Sequence, residues 1–262
     1  VSGTVSFNSL APTSSDIANW NAGWGNASVT GWNYVGSVNG ASGVYLGNGW
    51  VLTAAHVGAG TFTLSGTAYT VRADSIQGVV GASGTSVDLT LFRLTMNPNL
   101  PSLTISATAP TPLSSNSAGS EVAMIGYGGS HGETWGLNTV TATDLNVHIT
   151  GYPYISTDFA TDYGTTTLGD GNDTFSATNN YLLVPGDSGG GDFIYDAEAA
   201  AWSLAGINEA VDTNNGSYMV ELSAYAPQIN GIVAVPEPST WALVAFGGLA
   251  LWARKRKCGV SR

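Results

Sequence analysis

Helical periodicity is nearly absent from this chain. From Trp32 onward, short runs rich in Val, Thr, Tyr and Leu alternate with Gly, Asn and Ser punctuation, as in 61–72 and 121–127. β-Branched and aromatic residues suit a pleated, half-buried surface, and the Gly and Asn clusters end each run in a turn. The pattern predicts an all-β fold of antiparallel strands, a barrel or a sandwich. At 262 residues the chain can bury a sizeable core within one structural domain of that class. Residues 1–30, rich in Ser, Asn, Gly and Ala with anchors at Phe7, Trp20 and Trp24, read as an N-terminal extension. The segment from Pro98 to Asn116 holds Pro98, Pro101, Pro110 and Pro112 and reads as a crossing between two β units, with Glu121–Gly128 opening the second.

Charge excludes one class of partner. Residues 1–236 carry two basic side chains, Arg72 and Arg93, against seventeen acidic ones. A surface so acidic repels phosphate backbones and offers no basic stripe, so no nucleic-acid partner is expected. Its plain consequence is solubility. The single cysteine, Cys258, leaves the fold to packing without disulfides. The chain opens on Val1-Ser2-Gly3 with neither an initiator methionine nor a signal peptide, and reads as a processed or trimmed product.

Three short motifs carry chemistry. Gly186-Asp187-Ser188-Gly189-Gly190 places one hydroxyl among small residues, where backbone amides can approach a carbonyl. A serine hydroxyl needs a base to take its proton, and the run Trp50–His56 supplies an imidazole at the end of an apolar strand. Val87–Leu94 supplies a carboxylate, Asp88, opening another strand. Taken singly, His56 is a core histidine bonded to a carbonyl and Asp88 a turn cap; their occurrence with the serine motif makes them a His-Asp-Ser set. The order separates this arrangement from those built Asp-His-Ser or Ser-Asp-His.

On the motifs T-A-A-H at 53–56, D-L-T-L at 88–91 and G-D-S-G-G at 186–190, the chain resembles the trypsin/chymotrypsin-like serine proteases. Gly43–Trp50 looks like the hairpin before the family's histidine, and Leu204-Ala205-Gly206-Ile207 like the strand after its serine. The resemblance implies a protease domain over 31–234, with two six-stranded antiparallel β-barrels at about 31–110 and 117–232. A short C-terminal helix over Val220–Ile229 would close the second. It implies that Ser188 attacks a peptide carbonyl, His56 relays the proton, Asp88 orients His56, and the amides of Gly186 and Ser188 form the oxyanion hole. No cofactor is required for that chemistry. His131 and His148 match no motif and read as structural or surface residues.

Several positions depart from the family pattern. Leu182 stands six before the serine, where relatives that cleave after Lys or Arg carry an aspartate, so the specificity pocket, with Glu209 and Val211, is expected to take uncharged residues. Glu209 replaces the usual small serine beside the triad aspartate, where it would either raise the proton affinity of His56 or block the pocket. Gly191 replaces the usual proline. Asp187, which pairs with a released N-terminal amine in zymogen-activated relatives, needs another partner or the amine of Val1. These departures leave a rival reading, a weak or inactive surface binding protein on the protease fold.

Thr157–Asn180, with Asp158, Asp162, Asp170 and Asp173, reads as an acidic insertion. Within it Gly169–Phe175 matches one turn of a glycine-aspartate calcium repeat, making Asp170 and Asp173 Ca²⁺ candidates; a single copy has no neighbour to stack on, and the alternative is a solvated loop. The chain changes character at 235–262. Val235-Pro236-Glu237-Pro238, the apolar run Trp241–Ala253 and the basic cluster Arg254–Lys257 together resemble the PEP-CTERM sorting signal of Gram-negative bacteria. That resemblance implies export, transient retention in the inner membrane by a hydrophobic helix, and processing by an exosortase.

Overall fold

The computed structural model describes residues 8–127, 131–162, 181–213 and 216–234. Two β units follow each other along the chain. In the first, β1 (Val35–Val38), β2 (Ala41–Gly47), β3 (Trp50–Thr53), β4 (Phe62–Leu64), β5 (Thr67–Tyr69), β6 (Gln77–Val80) and β7 (Ser86–Arg93) form an antiparallel sheet in the order β5-β4-β1-β2-β3-β7-β6. It has seven strands rather than six, and its edge strands β5 and β6 do not pair with each other. The sheet nevertheless curls nearly shut: Val71, just past β5, bridges Leu94, just past β7, and the Arg72 N–H donates to the Arg93 carbonyl at 2.7 Å.

The second unit opens with a small hairpin, β8 (Leu113–Ser114) and β9 (Ser117–Ala118). It continues as β10 (Glu121–Gly126), β11 (Thr134–Val147), β12 (Ser156–Asp162), β13 (Gly191–Asp196), β14 (Ala201–Val211) and β15 (Gly216–Glu221). These last six close into a barrel in the order β10-β11-β12-β15-β14-β13. Closure removes the unpaired edges that an open sheet would expose. The acidic stretch expected to be an insertion therefore begins inside a strand: Thr157–Asp162 belongs to β12, paired with β11 on one side and β15 on the other.

Inward-facing side chains of both units, among them Leu52, Phe62 and Phe92 in the first and Ile125, Phe193 and Ile207 in the second, join one continuous apolar cluster. Each such side chain contributes about 1.5–3 kcal/mol on burial. The crossing segment is tied to both units, since the Leu103 N–H donates to Leu46, the Leu204 N–H to Thr104 and the Ser106 N–H to Leu204.

The N-terminal extension also packs on the second barrel. Trp20 is fully buried and meets Trp24 and Trp202 edge-on at 5.1 and 4.8 Å, while Trp24 stacks on Trp202 at 5.6 Å. Gly23 makes this docking possible, because its φ of +80° is left-handed and a Cβ there would lie 2.8 Å from the Ala200 carbonyl oxygen.

The C-terminal helix starts later than expected. Val220 and Glu221 complete the pairing of β15 with β14, a single 3-10 turn follows at Leu222–Ala224, and α1 runs over Ala226–Val233 with Pro227 in its first turn. Proline there has no intrahelical bond to lose. Among the described residues no helix is long and apolar enough to cross a membrane. Trp241–Ala253, Cys258 and Phe7 lie outside the described residues.

Candidate active site

The hairpin β2–β3 delivers His56. Its turn, Asn48-Gly49, has φ of +52° and +82°, the mirror-type turn that an Asn-Gly pair allows and that matches strand twist. All four residues of β3 are buried, so the strand is fixed when it ends, and His56 follows three residues later. Asp88 sits third in β7, within the buried run Val87–Phe92, and is itself wholly buried. The His56 Nδ1 and Asp88 Oδ2 lie 2.6 Å apart, and the His56 backbone N–H donates to Asp88 Oδ1 at 2.8 Å. Burial by itself would lower the proton affinity of His56. The hydrogen bond and charge of Asp88, with the charge of Glu209 added, outweigh it and raise the imidazole above its ordinary value of 6.5. The ring of Tyr152 stands 5.4 Å from the imidazole, and the Tyr152 carbonyl is 2.9 Å from His148 Nε2 on the exposed side.

Ser188 sits on the loop that leads into β13. Its carbonyl accepts from the Ser42 N–H of β2 at 2.9 Å, which ties the serine loop to the His56 hairpin. Two glycines permit this approach. A Cβ at Gly189, whose φ is +85°, would lie 2.2 Å from the Ser42 carbonyl oxygen, and one at Gly190 would lie 2.2 Å from that of Ile125. The loop is clamped further by buried Asn208, whose Nδ2 donates to the carbonyls of Asp187 and Ile125, and whose backbone exchanges bonds with Gly189 and Gly190. Gly186 has φ +102°, and its carbonyl accepts from Ser42 Oγ at 3.1 Å.

Asp187 faces inward and is nearly buried; its Oδ2 accepts from the Val184 N–H at 2.9 Å. This local bond gives the carboxylate a partner within its own loop. Val1, the other partner considered, lies outside the described residues.

Glu209 and Val211 meet Ser188 around a cavity of about 50 Å³, together with Leu183, Val184, Pro185 and Ala210. Leu182 is not among that lining. It borders a separate space of about 30 Å³ with Met124, Trp135, Tyr181 and Asp187. Glu209 reaches the site through a bulge. On β14, Asn208 pairs with Met219 and Ala210 with Tyr218, leaving Glu209 as the extra residue, and such bulges re-aim a side chain. It points inward, 3% exposed, and its Oε1 accepts from Ser156 Oγ at 2.8 Å; that same hydroxyl oxygen accepts the Asp88 N–H at 3.2 Å.

Ser42, Ser156, Asp158 and Asn208 all touch this region, and none was singled out by the sequence motifs. One signal was available for two neighbours: Asn208-Glu209 is a polar pair closing the apolar run Leu204–Ile207. His131 and His148 are exposed, and His148 reaches the His56 region only through the backbone of Tyr152. Asp170 and Asp173 lie outside the described residues.

With its two β units and the Ser188 loop tied to the hairpin that carries His56, the molecule has the fold of the chymotrypsin-like proteases. The chain belongs to the trypsin family, whose model matches residues 22–229. A second model, the PEP-CTERM protein-sorting motif, matches residues 234–257 and suggests export to the envelope or cell surface. Among solved structures, the chain is similar to the Rv3671c protease from M. tuberculosis in its active form, with a TM-score of 0.50 and 17% identity, covering 78% of this chain and 81% of that one. The inactive form of the Rv3671c protease gives a TM-score of 0.53 and 16% identity, covering 76% and 89%. Likeness at this identity speaks for the fold. No curated protein matches the chain.

Proposed function

We propose that this chain is a secreted or cell-surface serine endopeptidase that cleaves peptide bonds through an acyl-enzyme on Ser188. The observation that carries the reading is the doubly bonded His56–Asp88 pair, which leaves His56 Nε2 as the ring nitrogen available to a hydroxyl. His56 takes the proton of Ser188 as the oxygen attacks, then returns it to the leaving amine. Asp88 fixes the tautomer and stabilises the imidazolium. The negative oxygen of the tetrahedral intermediate needs donors aimed at it. The N–H groups of Gly186 and Ser188 fit that role: among the described residues neither donates to a protein acceptor, whereas the intervening Asp187 N–H is taken by Val184. Side chains and amides suffice for each step.

The cavity beside Ser188 is small and lined mainly by apolar side chains, which supports cleavage after uncharged residues of modest size. For the C-terminal tail, the reading is transient anchoring in the inner membrane through Trp241–Ala253 and removal by an exosortase, on the strength of the sorting motif.

The test is labelling of the purified protein by a fluorophosphonate probe, with Ser188→Ala as control. The probe reports an activated serine without needing the natural substrate. Labelling of the parent protein that vanishes in the variant is the expected result. Equal, negligible labelling of both folded proteins would favour a binding role on the same fold.

A further inference from the structure

Behind Asp88 lies a carboxyl cluster that the triad does not need. Glu209 of β14 stands beside Asp88 of β7 and against Asp158 of β12. Asp158 is wholly buried, and neither of its oxygens receives a bond from an N–H or hydroxyl among the described residues. Glu209 Oε2 is in the same position, while Oε1 is held by Ser156. Glu221 of β15 adds a further carboxylate facing Asp158, and Tyr218 is the remaining titratable neighbour.

Among the described residues no Lys or Arg side chain offsets this charge. Arg72 and Arg93, the only Lys or Arg side chains among the described residues, line a cavity beside α1 with Trp50 and Pro227. No three acidic, His or Cys side chains among the described residues are arranged to hold a metal ion. Two buried carboxylates in contact repel strongly at low dielectric, and two carboxyl groups can hydrogen-bond each other only through a proton. One proton must therefore lie between Asp158 and Glu209.

We propose that Asp158 and Glu209 are positioning residues for the His56–Asp88 pair: they share one proton, and the single negative charge left on the pair stands behind Asp88 and helps hold a proton on His56. The direction follows from the surroundings. Burial, the bond to Glu209 and the neighbouring charges of Glu209, Asp88 and Glu221 all raise Asp158, so the buried pair keeps its proton at neutral pH. Glu209 is raised as well, by burial and by Asp88 against the bonds from Asp158 and Ser156, so the two carboxyls hold one proton and one negative charge between them. Through Ser156, whose hydroxyl joins Glu209 to the Asp88 backbone, the pair also fixes where Asp88 sits. The bulge that turns Glu209 inward thus settles its role as a field behind the histidine. This inference rests on the peptidase reading only for its kinetic consequence, since the charge arrangement exists without turnover.

The test is an NMR pH titration of the His56 ring in the parent protein and in Glu209→Gln, Asp158→Asn and Asp158→Leu, alongside the pH dependence of fluorophosphonate labelling. Glu209→Gln removes the charge yet keeps an acceptor for Ser156; the His56 midpoint is expected to fall by about 0.5–1 pH unit. Asp158→Leu leaves Glu209 to take up a proton itself, so the midpoint falls similarly. Asp158→Asn still donates to Glu209 and keeps the parent midpoint. Equal midpoints in all four proteins, or a shift in Asp158→Asn matching that of Glu209→Gln, would overturn the proposal. Should Glu209→Gln fail to fold, the contrast between the two Asp158 variants decides. A His56 titration that follows this pattern in a protein that never labels would uphold the acid pair and remove the peptidase reading.

Discussion

Both carboxylate oxygens of Asp88 are claimed by one residue, His56, through its ring at 2.6 Å and its own backbone N–H at 2.8 Å. The bond from the main chain fixes where the carboxylate lies, and the bond from the ring fixes which nitrogen faces the substrate. Neither can be kept by a side chain of different shape.

Asp88→Asn preserves the fold but presents an amide to the ring. The wrong tautomer then points at Ser188, and hydrolysis in related triads falls on the order of 10⁴-fold. The same drop is expected here, measured as the labelling rate against the parent protein. A loss below tenfold would mean that His56 is not the base.

The elevated proton affinity of His56 sets a pH window. A protonated ring cannot accept from Ser188, so activity should rise through a midpoint above 6.5 and hold on the alkaline side. The stability linkage has the opposite sense. A group whose proton is held more tightly in the folded state contributes stability that is fully present below the unfolded value and lost as pH rises through the folded one. A labelling profile with its midpoint below 6.5 would contradict both statements.

Asp158 stays protonated in the fold up to about 11, whereas the unfolded chain releases that proton near 3.8. Stability is therefore lost progressively as pH rises between those values. Asp158→Asn removes the liability and keeps a donor. Replacing buried ionisable groups often stabilises by about 1–4 kcal/mol. At roughly 2–4 °C per kcal/mol for a domain of this size, its melting temperature at pH 8 should exceed the parent's by several degrees. At pH 4 the difference should nearly vanish, and calorimetry at the two values checks it.

Asn208→Leu should act on the serine loop. The change strips donors from the Asp187 and Ile125 carbonyls, both inside the structure. The Asp187 carbonyl keeps the Gly190 N–H, so the cost is that of the two lost hydrogen bonds, about 0.5–1.5 kcal/mol each. Denaturant unfolding should show that loss, and labelling should slow because Asp187 and Ser188 share the freed loop. Unchanged labelling in a folded variant would mean that Ser42 alone holds the loop.

The alternation of short β-type runs and turn residues determined the all-β class, and the spacing of the three motifs determined which histidine, aspartate and serine to consider. Those signals are local: a strand's composition, an Asn-Gly turn and the glycines that let a serine loop approach a neighbouring backbone are all written in adjacent residues. The closed second barrel, the near-closed first sheet and the docking of Trp20 on Trp202 depend on contacts between distant segments. The same is true of the separation of Leu182 from the cavity shared by Ser188 and Glu209, and of the later start of α1. Glu209 shows the division most plainly. Its identity at an unusual position was visible in the chain, but whether it blocks a pocket or backs a triad depends on the bulge that turns it inward and on Asp158, fifty-one residues earlier, waiting there with a proton. Buried charge is decided by what surrounds it in three dimensions, because the cost of ionising a carboxyl depends on the groups within a few ångströms and hardly at all on its neighbours in sequence.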